Sequence, residues 1–204
     1  MALTTKFILC MTMAMAGALM VKASDPDILS DFILPRNTNS VDANFFTFTG
    51  LRSLENESDP ITLRVTKVSK AEFPALDGQS VSFALLEYAN GGINPLHTHP
   101  RSAELLFLVY GSLEVGFVDT TNKLYTQKLQ IGDMFIFPKG LVHYQYNSDT
   151  QNLAIALSAF GSASAGTVSV PSTLFTTGIS DDVLAKSFKT DVQTIQKLKA
   201  GLAS

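Results

Sequence analysis

The sequence predicts an all-β domain, closed as an antiparallel sandwich or barrel and followed by a short helical tail. Three observations carry this expectation. From Ile61 to about Ser158, short apolar runs follow one another at close spacing. Glycine, proline, asparagine or aspartate falls in most gaps between those runs, as antiparallel strands joined by tight turns require. Over the last thirty residues the apolar spacing changes to that of helices. The chain has 204 residues, enough for one domain with appended segments, and 46% hydrophobic against 16% charged residues supplies a sizeable core.

The first 23 residues read as an address label. Lys6 is a positive n-region, Phe7 to Val21 an apolar core, and Ala23 or Ser24 a small-residue cleavage site. The apolar run falls short of the roughly 20 residues of a membrane span, so residues 1–23 are expected to be a secretory signal peptide. The only cysteine, Cys10, lies inside it, so the exported chain is expected to carry no thiol and no disulfide. The sequon Asn56-Glu57-Ser58 offers Asn56 as a glycosylation site. A net charge of −3 with no basic cluster argues against nucleic-acid and polybasic membrane binding.

Residues 24–60 have no strong period and are expected to form an arm wrapping the barrel. Residues 61–165 hold the strand-like runs ITLRVTKV, VSFALLEY, ELLFLVYG, SLEVGFVD, KLYTQKLQ, DMFIFP, LVHYQYN and NLAIALSAF. The gaps include NGGINP, YGS, DTTN, IGD, PKG and NSDTQN. Alternation is clean in SLEVGFV, where Leu113, Val115 and Phe117 share a face. No Trp-centred repeat supports a propeller. Residues 166–204 are expected to be a linker and helices. In the last helix Val192, Ile195, Leu198 and Leu202 form a stripe that must be covered by the barrel or by another subunit. Thr190 with Gln193 fits a capping box at its start.

Two of the chain's three histidines stand in His97-Thr98-His99, and Glu104 follows beyond a Pro-Arg-Ser turn. A spacing of two along an extended chain puts both imidazoles on one face. Glu104 shares its face with Leu106 and Leu108, so its carboxylate points into the core and needs a cation or a donor. His143 lies on the run after the Pro138–Gly140 turn, on the same face as Gln145 and Asn147. Three imidazoles and a carboxylate suit a divalent first-row metal with open positions, such as octahedral manganese or iron. The lack of thiolates argues against structural zinc.

These residues carry a resemblance. Gly91, His97, His99, Glu104 and Gly111 fit the first cupin motif of the germins, and Gly132, Pro138, Gly140, His143 and Asn147 fit the second. The sequence from about Ala71 to Asn147 is similar to a germin-like protein throughout, and the leader and helical tail are similar too. The resemblance implies a cupin jelly-roll β-barrel with a C-terminal helical segment. It implies manganese at His97, His99, Glu104 and His143, and a homohexamer built as a trimer of dimers through the C-terminal helices. It also implies residence in the plant apoplast or cell wall.

Two departures bear on what the resemblance implies. Most germins pair two N-terminal cysteines, whereas here Ile33 stands at the first of those positions and no second cysteine exists. The arm is therefore expected to be held by packing alone, with the aromatic run NFFTFTG a candidate. Oxalate-oxidising germins place two asparagines near the metal. Asn94 matches one of them, and Ala84 stands where the other is expected. Loss of an amide that would bind oxalate costs about 1–3 kcal/mol. The leading expectation is therefore a superoxide dismutase, with Asn94 and Gln145 orienting water or the bound anion. An oxalate oxidase, or one acting on another small carboxylate, is the second reading. The third is a non-catalytic auxin-binding or receptor-like wall protein, because the same four ligands would serve all three.

Overall fold

The computed structural model describes residues 25–52 and 58–203, so the expected signal peptide and Asn56 lie outside the described residues. Ten strands come in chain order: β1 (Leu63–Val68), β2 (Ser82–Tyr88), β3 (Ile93–Thr98), β4 (Glu104–Tyr110) and β5 (Leu113–Val118) form the first half. The second half is β6 (Leu124–Leu129), β7 (Met134–Phe137), β8 (Val142–Tyr146), β9 (Ala154–Phe160) and β10 (Val168–Ser169). Three helices follow: α1 (Val170–Phe175), α2 (Asp181–Phe188) and α3 (Val192–Leu202). The strands make two antiparallel five-stranded sheets, ordered β1-β2-β9-β4-β7 and β10-β3-β8-β5-β6. After β6 the chain changes sheet with every strand, which gives the double-sheet jelly roll.

Period-two patterning makes the core. In β2, Ser82, Ala84, Leu86 and Tyr88 are buried while the residues between them are half-buried. In β4, Glu104, Leu106 and Leu108 point inward. The apolar members of these sets pack with Leu113 and Val115 of β5, Leu129 and Phe137 between the sheets. Leu106, Leu108 and Leu113 are fully buried, each stabilising the fold by roughly 1.5–3 kcal/mol. Gly111 makes the β4–β5 turn with φ +79°, and a Cβ there would meet the Leu153 carbonyl oxygen at 2.5 Å. Only glycine meets both demands.

The chain departs from expectation in three places. The stretch NGGINP, expected as a gap, enters β3 at Ile93, and Pro95 sits where the pairing with β8 shifts register between Asn94 and His97. A bulge tolerates a residue that cannot donate to the ladder. The cap of α3 is Asp191, whose carboxylate accepts from the Thr194 N–H at 2.8 Å. Thr190 is instead engaged by the end of α2: its N–H donates to the Ala185 carbonyl, beside Lys189 in the left-handed region at φ 53°. β10 has too few residues to show a period, and it interrupts the 166–204 span expected as linker and helices, in which α1 also lies.

The arm is held by more than packing. Within the arm Phe46 meets Phe32 and Phe45 edge-on at 5.0 and 4.9 Å, and Phe48 ties it to Phe73 at 5.6 Å. Ile33 and Ile28 lie against Gly78, so an aliphatic contact stands at Ile33. Hydrogen bonds add to this, because Asp25 accepts from Ser162 Oγ at 2.7 Å and from the Ala163 N–H at 2.6 Å. In the tail, Leu184, Ala185 and Ile195 form a small core with Val192 and Phe175. The apolar stripe of α3 is thereby split: Val192 and Ile195 turn inward, while Leu198 and Leu202 stay exposed. Among the described residues no helix is long and apolar enough to cross a membrane.

Candidate metal centre

β3 and β8 are neighbours in one sheet, and their register sets His97 directly opposite His143. His99 follows one residue beyond β3. Glu104, the first residue of β4, reaches in from the other sheet. One potential ligand atom from each of the four residues lies within 4.8 Å of the others, and all four side chains are buried.

The backbone fixes the tautomers. His97 Nδ1 faces the Pro95 carbonyl at 2.7 Å, His99 Nδ1 the Gly166 carbonyl at 2.5 Å, and His143 Nδ1 the Leu141 carbonyl at 2.8 Å. A carbonyl only accepts, so each Nδ1 carries the proton and each Nε2 is left as the ligating nitrogen. Nε2 of His99 and of His143 lie 3.0 and 3.1 Å from Glu104 Oε2. Two nitrogen lone pairs and a carboxylate oxygen can share that space only around a proton or a cation. The donor set therefore fits a metal ion held by three nitrogens and one oxygen.

Supporting groups hold this geometry. Glu104 Oε1 accepts from Ser158 Oγ of β9 at 2.6 Å and from Gln145 Nε2 at 3.2 Å. The His143 ring stacks on Phe137 at 4.5 Å, and Phe160 meets His99 edge-on at 4.8 Å. Gly166, whose carbonyl orients His99, has φ +73°, and a Cβ there would lie 2.6 Å from the Arg101 guanidinium. Arg101 straps the same loop by donating from Nε to the Ser164 carbonyl at 2.5 Å.

The electrostatics keep His97 and Glu104 in their binding forms. Burial, aided by the neighbouring His143, pushes His97 down to about 4, so its imidazole stays neutral. Burial alone would raise Glu104, but the His143 and His99 rings beside its Oε2 outweigh it and lower the carboxyl to about 2.

A cavity of about 470 Å³ opens on one side of the centre, lined by His97, His99 and Glu104 together with Asn94, Ala84 and Phe160. Asn94 is half-buried on this wall. Gln145 is fully buried and bonds the carboxylate from behind, outside the cavity lining. The sequence brought the four ligands and Asn94 into view. It did not reveal Ser158, Arg101 or the three orienting carbonyls, since a serine or an arginine in a strand or turn carries no local signal of so distant a partner.

A family model described as Cupin matches residues 49–196. Germin-like protein 9-3 of Oryza sativa subsp. japonica is 59% identical over 209 residues, covering 99% of this chain and 97% of that protein. Germin-like protein 9-1 of the same organism is 51% identical over 189 residues, covering 91% of this chain and 76% of that protein. Among solved structures, a recombinant oxalate oxidase in complex with glycolate aligns with a TM-score of 0.79 at 33% identity, covering 88% of this chain and 98% of that one. With the buried His3Glu centre in a jelly roll, these likenesses make one statement: the chain belongs to the cupin family and, within it, to the germin-like proteins.

Proposed function

We propose that this protein is a secreted, manganese-dependent superoxide dismutase that releases hydrogen peroxide in the plant apoplast. The observation that carries the reading is the cavity wall beside the centre, which presents the methyl group of Ala84 where a second amide would help hold oxalate. Superoxide is small and needs no such clamp.

The overall reaction takes two superoxide ions and two protons to one dioxygen and one hydrogen peroxide. Nε2 of His97, His99 and His143 and the Glu104 carboxylate would hold manganese, which would supply the one-electron exchange. Ser158 and Gln145 fix the carboxylate, and the Pro95, Gly166 and Leu141 carbonyls fix the rings. Asn94, which lines the cavity, is the donor to an incoming anion in this reading. Purified protein, with metal content measured, should dismutate superoxide, and His143→Ala should abolish both metal retention and activity. Metal-loaded protein that leaves superoxide untouched sinks this reading.

Oxalate oxidation is the second reading, favoured by the likeness to oxalate oxidase structures and by the retained Asn94. Peroxide release on adding oxalate, compared between the wild type and Ala84→Asn, separates the two. Under the first reading the wild type is nearly inert toward oxalate and the variant gains turnover.

The assembly belongs to the same proposal: a homohexamer arranged as a trimer of dimers. Exposed Val183, Phe188, Leu198 and Leu202 on the tail, and Leu105, Met134 and Ile136 on one sheet, support it. Native mass spectrometry should give six copies, and a monomer refutes the assembly. Asn56 is proposed to carry a glycan, which a mass shift on enzymatic deglycosylation would report.

A further inference from the structure

Among the described residues, the cavity beside the metal centre has one lysine on its lining and no arginine. In the β1–β2 ladder Lys67 pairs directly with Ala84, as Val65 pairs with Leu86. Directly opposed residues project from the same face of a sheet, and for Ala84 and Leu86 that face is the barrel interior. Lys67 is therefore an inward-facing, exposed cation at the open end of the barrel, directly opposite the small side chain of Ala84.

Its ammonium forms no hydrogen bond or ion pair among the described residues. The nearby rim carboxylate, Glu72, bonds Ser69, accepting from its N–H at 2.9 Å and its Oγ at 2.6 Å, and its pKa is held low mainly by Ser69 with a smaller share from the Lys67 charge. The chain as a whole carries a net charge of −3, so its global field does not favour an approaching anion. A local cation at a cleft mouth, between low-dielectric walls, does.

We propose that Lys67 is the anion-recruiting residue of this cavity, drawing a small anion past Ala84 to the metal centre. The inference rests on the proposed function only in that the substrate is anionic. The ligand class is a small oxyanion, either superoxide or a short carboxylate. Ala84 keeps the path between Lys67 and the centre clear, so the residue that weakens an oxalate clamp also opens the route from the lysine. Glu72 opposes Lys67 on the same rim, and the balance of the two sets the local potential.

The test titrates azide, a small monoanion, into metal-loaded protein by calorimetry at low and high ionic strength. Stopped-flow superoxide decay and glycolate titration of the same samples distinguish the two natural sources. Lys67→Gln should weaken azide binding about fivefold at low salt, and Lys67→Glu by about the square of that factor. Lys67→Arg should restore wild-type affinity, and Glu72→Gln should strengthen it. All differences should collapse at high salt. Identical azide affinity and salt dependence in wild type, Lys67→Gln and Lys67→Glu overturns the proposal. If azide responds as expected while superoxide does not decay, Lys67 stands and the dismutase reading falls. If superoxide decays equally fast in every Lys67 variant and azide is indifferent to them, the reverse holds. A Lys67 effect on superoxide decay or on glycolate affinity supports the corresponding ligand.

Discussion

Glu104 is the most constrained side chain of the centre, because four groups converge on its two oxygens. His99 and His143 face Oε2, while Ser158 and Gln145 donate to Oε1. A carboxylate free to rotate would have to be ordered each time a metal bound, whereas here Oε1 is tied before the metal arrives. Ser158→Ala removes the shorter of the two ties and leaves the ligands untouched. Its metal affinity should fall about 10–100-fold, as loss of an outer-shell partner typically does, and competition with a chelator would measure it. An unchanged affinity would mean that Gln145 alone suffices. His143→Ala, by contrast, removes a ligand and should leave less than about a tenth of the metal bound on elemental analysis. The difference between these residues explains what was legible. His97, His99 and His143 are all the histidines of the chain, so their spacing spoke for itself. Ser158 is one of many serines, and its partner lies 54 residues away across a strand pairing that only the folded sheet creates.

At the scale of elements, the strands whose side chains alternate were readable because burial on one face imposes a period of two. β2 and β8 show it plainly, with every second residue buried. β3 obscured itself, since Asn90 to Pro95 has the composition of a turn while the chain is already pairing with β8. Competition between adjacent helix ends misplaced the α3 cap. Thr190 looks like a cap in isolation, but its N–H closes α2, and Asp191 is left to begin α3. Asp191 also brings a negative charge to the helix N-terminus, a favourable pairing with the dipole, and its hydrogen bonds to Thr194 lower its carboxyl. Asp191→Ala should therefore lower the thermal midpoint by about 3 °C, and Thr190→Ala should change it little. Equal shifts in the two variants would return the cap to Thr190.

At the scale of the whole molecule, the metal centre and the fold share one stability. The four ligands come from three strands and a loop of both sheets, so an ion bound there ties the sheets together and is absent from the unfolded chain. At a free metal concentration a thousandfold above its dissociation constant, binding adds about 4 kcal/mol. Chelation should then lower the midpoint by roughly 8–16 °C in the wild type, and scarcely at all in His143→Ala. Acid acts on the same residues. His97 has its pKa pushed from 6.5 to about 4 in the folded state, mainly by burial. Above pH 6.5 neither state binds a proton at His97, and its neutral burial costs nothing in titration. Between pH 6.5 and 4 the unfolded chain takes up that proton and the folded chain does not, so stability falls as pH falls. Below about 4 both states are protonated and the loss from this group is complete, at about 3 kcal/mol. Glu104, lowered from 4.5 to about 2, extends the loss to still lower pH in the same direction. Urea titrations of metal-free protein should therefore show a midpoint that is flat above pH 6.5 and declines steadily toward pH 4. His97→Gln, which removes the titrating group, should flatten the upper part of that decline. A variant that keeps the full slope between pH 6.5 and 4 would place the acid sensitivity elsewhere in the barrel.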